Sequence, residues 1–366
     1  MLLKKVDRLI GHWLACIWPM PRQFKRHSSL VTRLLVIRPG GIGDAVFLIP
    51  VLTQLRNTYP TAHIDVLAEK RNCEAFALCS AVDKVLCYDR PQELWKVLRS
   101  RYDVVIDSEQ WYRLSAILAR MVRSHISIGY GTNERKRMFT HPVTYNPDAY
   151  EQVTFFDLLR PLELAPPSER KHCFLSVPVA AQIRAAEMLR SLAGRPFIAL
   201  FHGASVPEKS WGVNKFTDLS LRLQDAGHEV VFVGGKEDVS AAAVITSETS
   251  AINLTGKTTL LETAGILNRC CLLISGDSGV LHIGVGLGKK TVSIFGPSNT
   301  NKWAPRGDGH IVINHHLSCS PCSHFGIMPP CPIGVQCIRD ITVDEVFTAA
   351  KKLLNAKQDM EGHDAF

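Results

Sequence analysis

The chain has 366 residues, 46% of them apolar and 21% charged, which excludes a disordered or low-complexity chain and allows two ordinary cores. Lysine and arginine number 42 against 34 aspartates and glutamates, a net charge of +8 that suits an anionic substrate or an anionic surface. There is no arginine-rich helix and no aromatic–basic strand pattern, so nucleic acid is not an expected partner.

The first segment, 1–30, mixes Leu, Ile and Trp with Lys4, Lys5, Arg8, Arg22, Lys25 and Arg26. Its apolar stretch at 9–20 is shorter than the ~20 residues needed to span a bilayer. It lacks the small-residue cleavage site of a signal peptide. Two readings stay open: a basic amphipathic segment lying on an anionic membrane, or a helix packed on the body of the protein.

Short runs rich in Val, Ile and Leu then predict strands at 34–37, 63–68, 84–88, 103–107 and 125–129. After a break, further strands are expected at 197–201, 229–233, 272–275 and 291–295. The runs are mostly continuous rather than alternating, as in parallel strands covered on both faces. Helical patterns lie between them; KFTDLSLRLQDA at 215–226 is one, with Gly227 placed to end it. This alternation implies right-handed βαβ units and open twisted sheets. Four prolines at 161–179 read as a connection, giving two doubly wound domains at about 30–165 and 190–315. Thr342-Val-Asp-Glu345 is a capping box before a terminal helix expected to pack across one of the domains.

In such sheets ligands bind beyond the carboxyl ends of the strands, so the loops after strands are where chemistry is sought. The first reads RPGGIGDAVFLIP at 38–50, with Gly40, Gly41 and Gly43 followed by Asp44. It is not a dinucleotide fingerprint, because Val46 stands where the third glycine belongs, and no Gly-Lys-Ser/Thr follows as in a P-loop. Asp44 is either an ordinary carboxylate favoured by a helix N-terminus or a base at the mouth of a glycine loop. Glycines here let a ligand approach the backbone.

In the second loop, at 201–211, Ser205 and Lys209 suit phosphate oxygens. In the third, at 231–242, Glu237 follows a Gly-Gly pair and either accepts hydrogen bonds from sugar hydroxyls or starts a helix. The fourth, at 274–299, places Asp277, Ser278 and Gly279 where a strand gives way to a helix, an anion site by geometry and dipole, with His282 one turn on. Asp277 would repel a phosphate, so it is expected to cap the helix or bind a sugar hydroxyl.

These loops, the NLTGKTTLLETAGIL segment at 253–267, and Asp277-Ser-Gly-x-x-His282 followed by Phe295-Gly-Pro297 occur in an order and spacing that resembles glycosyltransferase family 9. That family contains the ADP-heptose:lipopolysaccharide heptosyltransferases, and the resemblance covers about 32–350. It implies an α/β fold of the GT-B type, with two Rossmann-like doubly wound domains facing a central cleft. A basic segment at 1–30 would precede an acceptor domain at 31–170. A nucleotide-sugar domain at 190–340 would include a Cys-rich loop, and a helix and tail would occupy 341–366.

The same resemblance implies Asp44 as the general base and Lys209 and His282 as the groups that hold the diphosphate. Ser205, Glu237, Thr258, Asp277, Ser278 and Gly279 would line the rest of the donor pocket, and Gly40, Gly41 and Gly43 the acceptor side. It further implies an inverting transfer of a heptose from a nucleotide-diphosphate donor, ADP-heptose, to a lipopolysaccharide-core or other envelope saccharide. Neither metal nor cofactor would be needed, and the sequence has no Asp-x-Asp motif. The expected place of work is the cytoplasm, at the inner membrane face. His202 departs from the family, many of whose members carry proline before that glycine. A non-catalytic nucleotide-sugar binding protein of the same fold is the alternative; keeping both Asp44 and Lys209 argues against it. The broken glycine fingerprint disfavours a third class, an NAD-dependent oxidoreductase.

Of eleven cysteines, seven sit in apolar contexts as small hydrophobes. Cys319, Cys322, Cys331 and Cys337 cluster near His315, His316 and His324. A structural zinc site, disulfides (disfavoured in a reducing cytosol) and unligated thiols are the three readings.

Overall fold

The protein is described from a computed structural model that covers residues 7–21, 31–167, 172–323 and 327–356. The chain divides into two compact units, Met1–Arg170 and Lys171–Phe366.

The first unit is built on six parallel strands: β1 (Arg33–Arg38), β2 (His63–Ala68), β3 (Lys84–Cys87), β4 (Arg101–Asp107), β5 (Arg123–Tyr130) and β6 (His141–Val143). Their order across the sheet is β3-β2-β1-β4-β5-β6. Leu34 of β1 lies between Ile64 of β2 and Val104 of β4, and Leu34, Leu35, Val36 and Ile37 are all fully buried. A central strand covered on both faces must be apolar at every position, which is why this run does not alternate.

The second unit repeats the plan with β7 (Phe197–Phe201), β8 (Glu229–Phe232), β9 (Ile252–Asn253), β10 (Leu272–Gly276), β11 (Thr291–Ile294) and β12 (His310–Ile313), in the order β12-β11-β10-β7-β8-β9. Successive side chains of a strand point to opposite faces. Leu272 and Ile274 of β10 enter a core with Phe216, Leu219 and Leu223 of the helix Val213–Asp225 and Val346, Ala350 and Leu353 of the terminal helix Val343–Asn355. Leu273, between them, meets the helix Gly279–Gly286, where a Cβ on Gly284 would come within 2.5 Å of its Cδ2.

In both sheets the first strand is central. The chain runs outward on one side and resumes with the fourth strand on the other, so each sheet reverses direction between β1 and β4 or between β7 and β10. A crevice opens beyond the carboxyl ends at such a reversal.

All nine expected strands are present, and the helix expected at 215–226 is Val213–Asp225, followed by Gly227 at φ +84°. Strands β6, β9 and β12 were not anticipated. Two of them are two or three residues long, and β6 contains Pro142, which only an edge strand accepts. The terminal helix packs on the second unit's sheet as expected. Its entry is fastened by the Trp211 indole N–H and the Lys215 ammonium, both donating to Ile341 O, at 2.9 and 2.7 Å.

The N-terminal segment forms a π-turn, Asp7–Gly11, and a short helix, His12–Ile17, packed on the first unit. Asp7 is buried and accepts from Leu114 N at 2.7 Å, and Arg137 donates to Cys16 O at 3.1 Å. Of the two open readings, packing on the body therefore holds for this stretch. Lys4, Lys5, Arg22, Lys25 and Arg26 lie outside the described residues, as does the side chain of Arg8. Among the described residues no helix is long and apolar enough to cross a membrane.

The capping box is formed: Glu345 N–H donates to Thr342 Oγ1 at 3.2 Å, and Thr342 N–H to Glu345 Oε2 at 2.7 Å. Thr342→Ala should lower unfolding stability by ~1 kcal/mol, seen as a lower urea midpoint at unchanged slope.

Candidate active site

In the first unit, β1 ends at Arg38 and the chain turns at once through Gly40, whose φ of +115° favours glycine; a Cβ there would also meet Arg38 Nη2 at 2.9 Å. The helix Ile42–Thr58 follows, with Gly43 in its first turn and Asp44 beside it. Asp44 Oδ2 accepts the Gly41 N–H at 3.2 Å, and Gly40 N–H donates to Glu69 Oε2 at 2.9 Å. Two of the loop's amides thus already face carboxylates, so this loop is not built as an anion cradle. The Asp44 side chain is 23% exposed, and its Oδ1 stands 3.7 Å from Arg38 Nη2.

Arg38 is buried, and its guanidinium is shared. It donates to Pro39 O at 2.5 Å and Ser108 O at 2.7 Å, and lies 3.4 Å from both Glu109 Oε2 and Gln110 Oε1. Burial opposes its charge, but Asp44, Glu109, Glu151 and Asp107 outweigh that and hold it above its ordinary range. Behind it Arg135 and Asp107, neither exposed at all, pair at 2.9 Å, and Arg135 also donates to Glu109 O at 2.7 Å. The Gln110 amide donates to Glu151. Asp44 is thus the solvent-reached end of a buried charge network. Asp44 was legible in the glycine loop. Arg38 and Glu109 were not singled out, because a charged residue at a strand end looks like any surface charge until the loop after β4 folds over it.

In the second unit the loops beyond β7, β10 and β11 converge. Lys209, at the end of the turn Pro207–Lys209, places Nζ 2.6 Å from Asp277 Oδ2, which also accepts from Ser298 Oγ at 2.6 Å. His282, buried on the helix Gly279–Gly286, has Nε2 3.7 Å from Asp277 Oδ1. Burial alone would raise the Asp277 carboxyl; Lys209 and His282 overcome it and hold the group well below the usual carboxylate range.

The expectation that Asp277 caps the helix is corrected here. Ser278 is the N-cap, its Oγ accepting from Leu281 N at 3.1 Å, while Asp277, one residue earlier, pairs with Lys209. Gly279 is the first helical residue. Lys209, Asp277, Ser278, Gly279 and His282 are therefore brought together. Ser298, in the segment after β11, joins them without having been anticipated.

Ser205 and Glu237 are exposed in the loops after β7 and β8, and half-buried Thr258 shares a hydrogen bond with Thr263 at 2.8 Å. Among the described residues none of these three bonds to Lys209, Asp277 or His282. Asp238, next to Glu237, was missed. Its carboxylate accepts Gly235 N–H at 2.9 Å and lies so close to Gly203 that a Cβ there would stand 2.4 Å from Oδ1. His202 Nε2 lies 3.1 Å from Asp238 O, so this departure from the usual proline joins the loops after β7 and β8.

Cys319, Cys322, Cys331 and Cys337 line one cavity of about 20 Å³, room for about one water-sized atom. All are free thiols, and Val335 N–H donates to Cys331 Sγ at 3.2 Å. Among the described residues no group of three or more His, Cys, Asp or Glu is arranged to hold a metal ion. His315 bonds Glu345 Oε1 at 2.9 Å, and His324 lies outside the described residues.

Comparison with known proteins gives concordant matches. The model for glycosyltransferase family 9 (heptosyltransferase) matches residues 92–328. Lipopolysaccharide heptosyltransferase 3 of Escherichia coli is 27% identical over 290 residues, 72% of this chain and 83% of that protein. Lipooligosaccharide heptosyltransferase 2 of Haemophilus ducreyi is 25% identical over 307 residues, 77% of this chain and 88% of that protein. The structure of E. coli ADP-heptose lps heptosyltransferase II matches with a TM-score of 0.73 at 22% identity, covering 89% of this chain and 100% of that one. At that identity the likeness shows the fold, GT-B.

The depressed Asp277 carboxyl makes a pH prediction. A group whose folded pKa lies below its unfolded value, 3.8 for aspartate, stabilises the fold above that value and loses the contribution as pH falls below it. Thermal unfolding of wild type and Asp277→Asn should therefore show a gap in Tm near neutral pH that narrows below about pH 4.

Proposed function

The chain belongs to glycosyltransferase family 9, and on that premise we propose that it transfers a heptose from a nucleoside-diphosphate donor, ADP-heptose, to a lipopolysaccharide-core or related envelope saccharide, with inversion and without a metal. The observation that carries the reading is Lys209 and His282 gathered about Asp277 at the N-terminus of the helix Gly279–Gly286, where a diphosphate would be held. The named heptosyltransferase relatives support the choice of sugar and acceptor.

In the proposed reaction the acceptor hydroxyl oxygen attacks the anomeric carbon of the donor sugar. The bond from that carbon to the diphosphate oxygen breaks, and the nucleoside diphosphate leaves with the electron pair. Asp44 takes the hydroxyl proton. Its partial exposure and its long contact with Arg38 support the role, since a carboxylate locked in a close ion pair would be a poor base. Negative charge developing on the leaving diphosphate is met by Lys209, His282 and the first amides of the helix, which have no partners within the helix itself. Asp277 holds the Lys209 ammonium at that helix end until the diphosphate competes for it. Ser205, Thr258 and Glu237 serve the donor's hydroxyls and phosphate oxygens. Gly40, Gly41 and Gly43 keep the acceptor side free of side chains.

Asp44→Asn should reduce kcat by on the order of 10³-fold while the Kd for ADP, measured by calorimetry, stays within about twofold of wild type. Lys209→Met should do the reverse in emphasis, weakening ADP by roughly tenfold or more. Equal loss of turnover and ADP affinity in Asp44→Asn would remove Asp44 from the role of base. Turnover assays with ADP-heptose and a deacylated lipopolysaccharide acceptor test the substrate assignment itself.

A further inference from the structure

The two oxygens of the Asp44 carboxylate are held by contacts of different kinds. Oδ2 accepts the Gly41 N–H at 3.2 Å, within its own loop, while Oδ1 faces Arg38 Nη2 at 3.7 Å. The first contact ties one oxygen to the backbone. Alone it would let the carboxylate swing about that bond. A cation facing the second oxygen resists the swing, because turning away separates opposite charges in a half-buried place where their attraction is poorly screened.

Arg38 does not owe its own position to Asp44. A guanidinium is a planar fork with its N–H groups in fixed directions. Here Nε donates to Pro39 O and Nη1 to Ser108 O, so the fork is tied both to its own loop and to the loop after β4. The Phe155 ring lies against it, with its centroid 5.5 Å from Cζ. With Nε and Nη1 committed, the direction of Nη2 is set. Gly40 leaves the space it needs, since a Cβ there would stand 2.9 Å from Nη2.

Nη2 is shared. Glu109 Oε2 and Gln110 Oε1 both lie 3.4 Å from it. Glu109 is itself fixed, its other oxygen accepting Trp111 N–H at 3.0 Å and Tyr112 N–H at 3.3 Å. A second carboxylate on the same nitrogen has two effects. It competes with Asp44 for Nη2, which keeps the Asp44 contact long. It also leaves Arg38 compensated when Asp44 becomes neutral, and a buried cation without a partner is costly.

We propose that Arg38 is the positioning residue for Asp44, and that Glu109 is the counter-ion that keeps Arg38 from closing on it. Together they fix the orientation of the Asp44 carboxylate at a distance that leaves it a lone pair for the acceptor hydroxyl. The inference rests on the transfer reading above and deepens it. In the proton step the acceptor O–H bond breaks and the proton passes to Asp44. Arg38 neither gives nor takes a proton and stays charged on both sides of the step.

The test uses two variants of the full chain. Arg38→Lys keeps the charge and loses the fork; Glu109→Gln keeps an oxygen for the Trp111 and Tyr112 amides and loses the charge. In crystal structures, Arg38→Lys should show the Asp44 carboxylate turned off the Gly41 N–H. Glu109→Gln should show Arg38 Nη2 drawn to Asp44 Oδ1, within about 3.2 Å. The Arg135–Asp107 pair, 2.9 Å apart in the wild type, should stay in place and so verify the fold of the unit. In turnover assays each variant should lose roughly 10-fold to 100-fold in kcat. KM for the acceptor and Kd for ADP should stay within about twofold. Added to Asp44→Asn, neither change should cost more than about a further twofold, since there is no longer a base to position. A merely structural role would make the losses multiply. Multiplying losses, or Asp44 unmoved relative to Arg38 and Gly41 in both variant structures, would overturn the proposal. The structures need no substrate. A wild type inactive on ADP-heptose would therefore strike the transfer reading, while the place of Asp44 in the variants still decides this one.

Discussion

Parallel pairing with the first strand in the middle is the constraint on which the rest of this molecule depends. Each sheet starts at its centre, builds to one side, and resumes on the other beside the first strand. The loops after the first and fourth strands must then diverge, and the space between them cannot be filled by the sheet's own connections. In the first unit these loops carry Arg38, Asp44 and Glu109; in the second they carry Lys209, Asp277 and Ser278.

The two units arrange charge differently. In the first, two buried cations, Arg38 and Arg135, are enclosed with backbone carbonyls and the buried carboxylates Asp107, Glu109 and Glu151, and the group left partly exposed is the Asp44 carboxylate. In the second, a carboxylate is the organising member: Asp277 holds Lys209 and Ser298 and stands beside His282, at a helix end that already favours negative charge. One unit thus presents a partly exposed carboxylate, and the other a lysine and a histidine at a helix N-terminus. The proposed transfer would draw on both.

Much of the fold was legible because burial on both faces writes itself into a strand as an unbroken apolar run, as in LLVI of β1 and FIALF of β7. The edge strands escaped notice because an edge needs neither length nor uniform apolarity, and β6 even tolerates Pro142. The loop residues Asp44, Lys209 and His282 could be picked out because glycine turns and strand-to-helix junctions are local features. Asp277 was placed correctly and its partner was not. Whether a carboxylate caps the next helix or pairs with a lysine 68 positions earlier depends on where the loop after β7 comes to rest. Asp238 and Ser298 escaped for the same reason, each being defined by a neighbour from another strand's loop.

By itself the amino-acid order determined the class of fold, the family, and which glycine turns and helix starts follow the strands, since periodicity, glycine turns and helix caps act over a few residues. Only the tertiary structure decided which charges meet. It enclosed Arg38 behind Asp44, gave Asp277 to Lys209, and packed the N-terminal helix on the first unit. Charge pairing and burial depend on distances between residues far apart in the chain, and those distances are set when the sheets close.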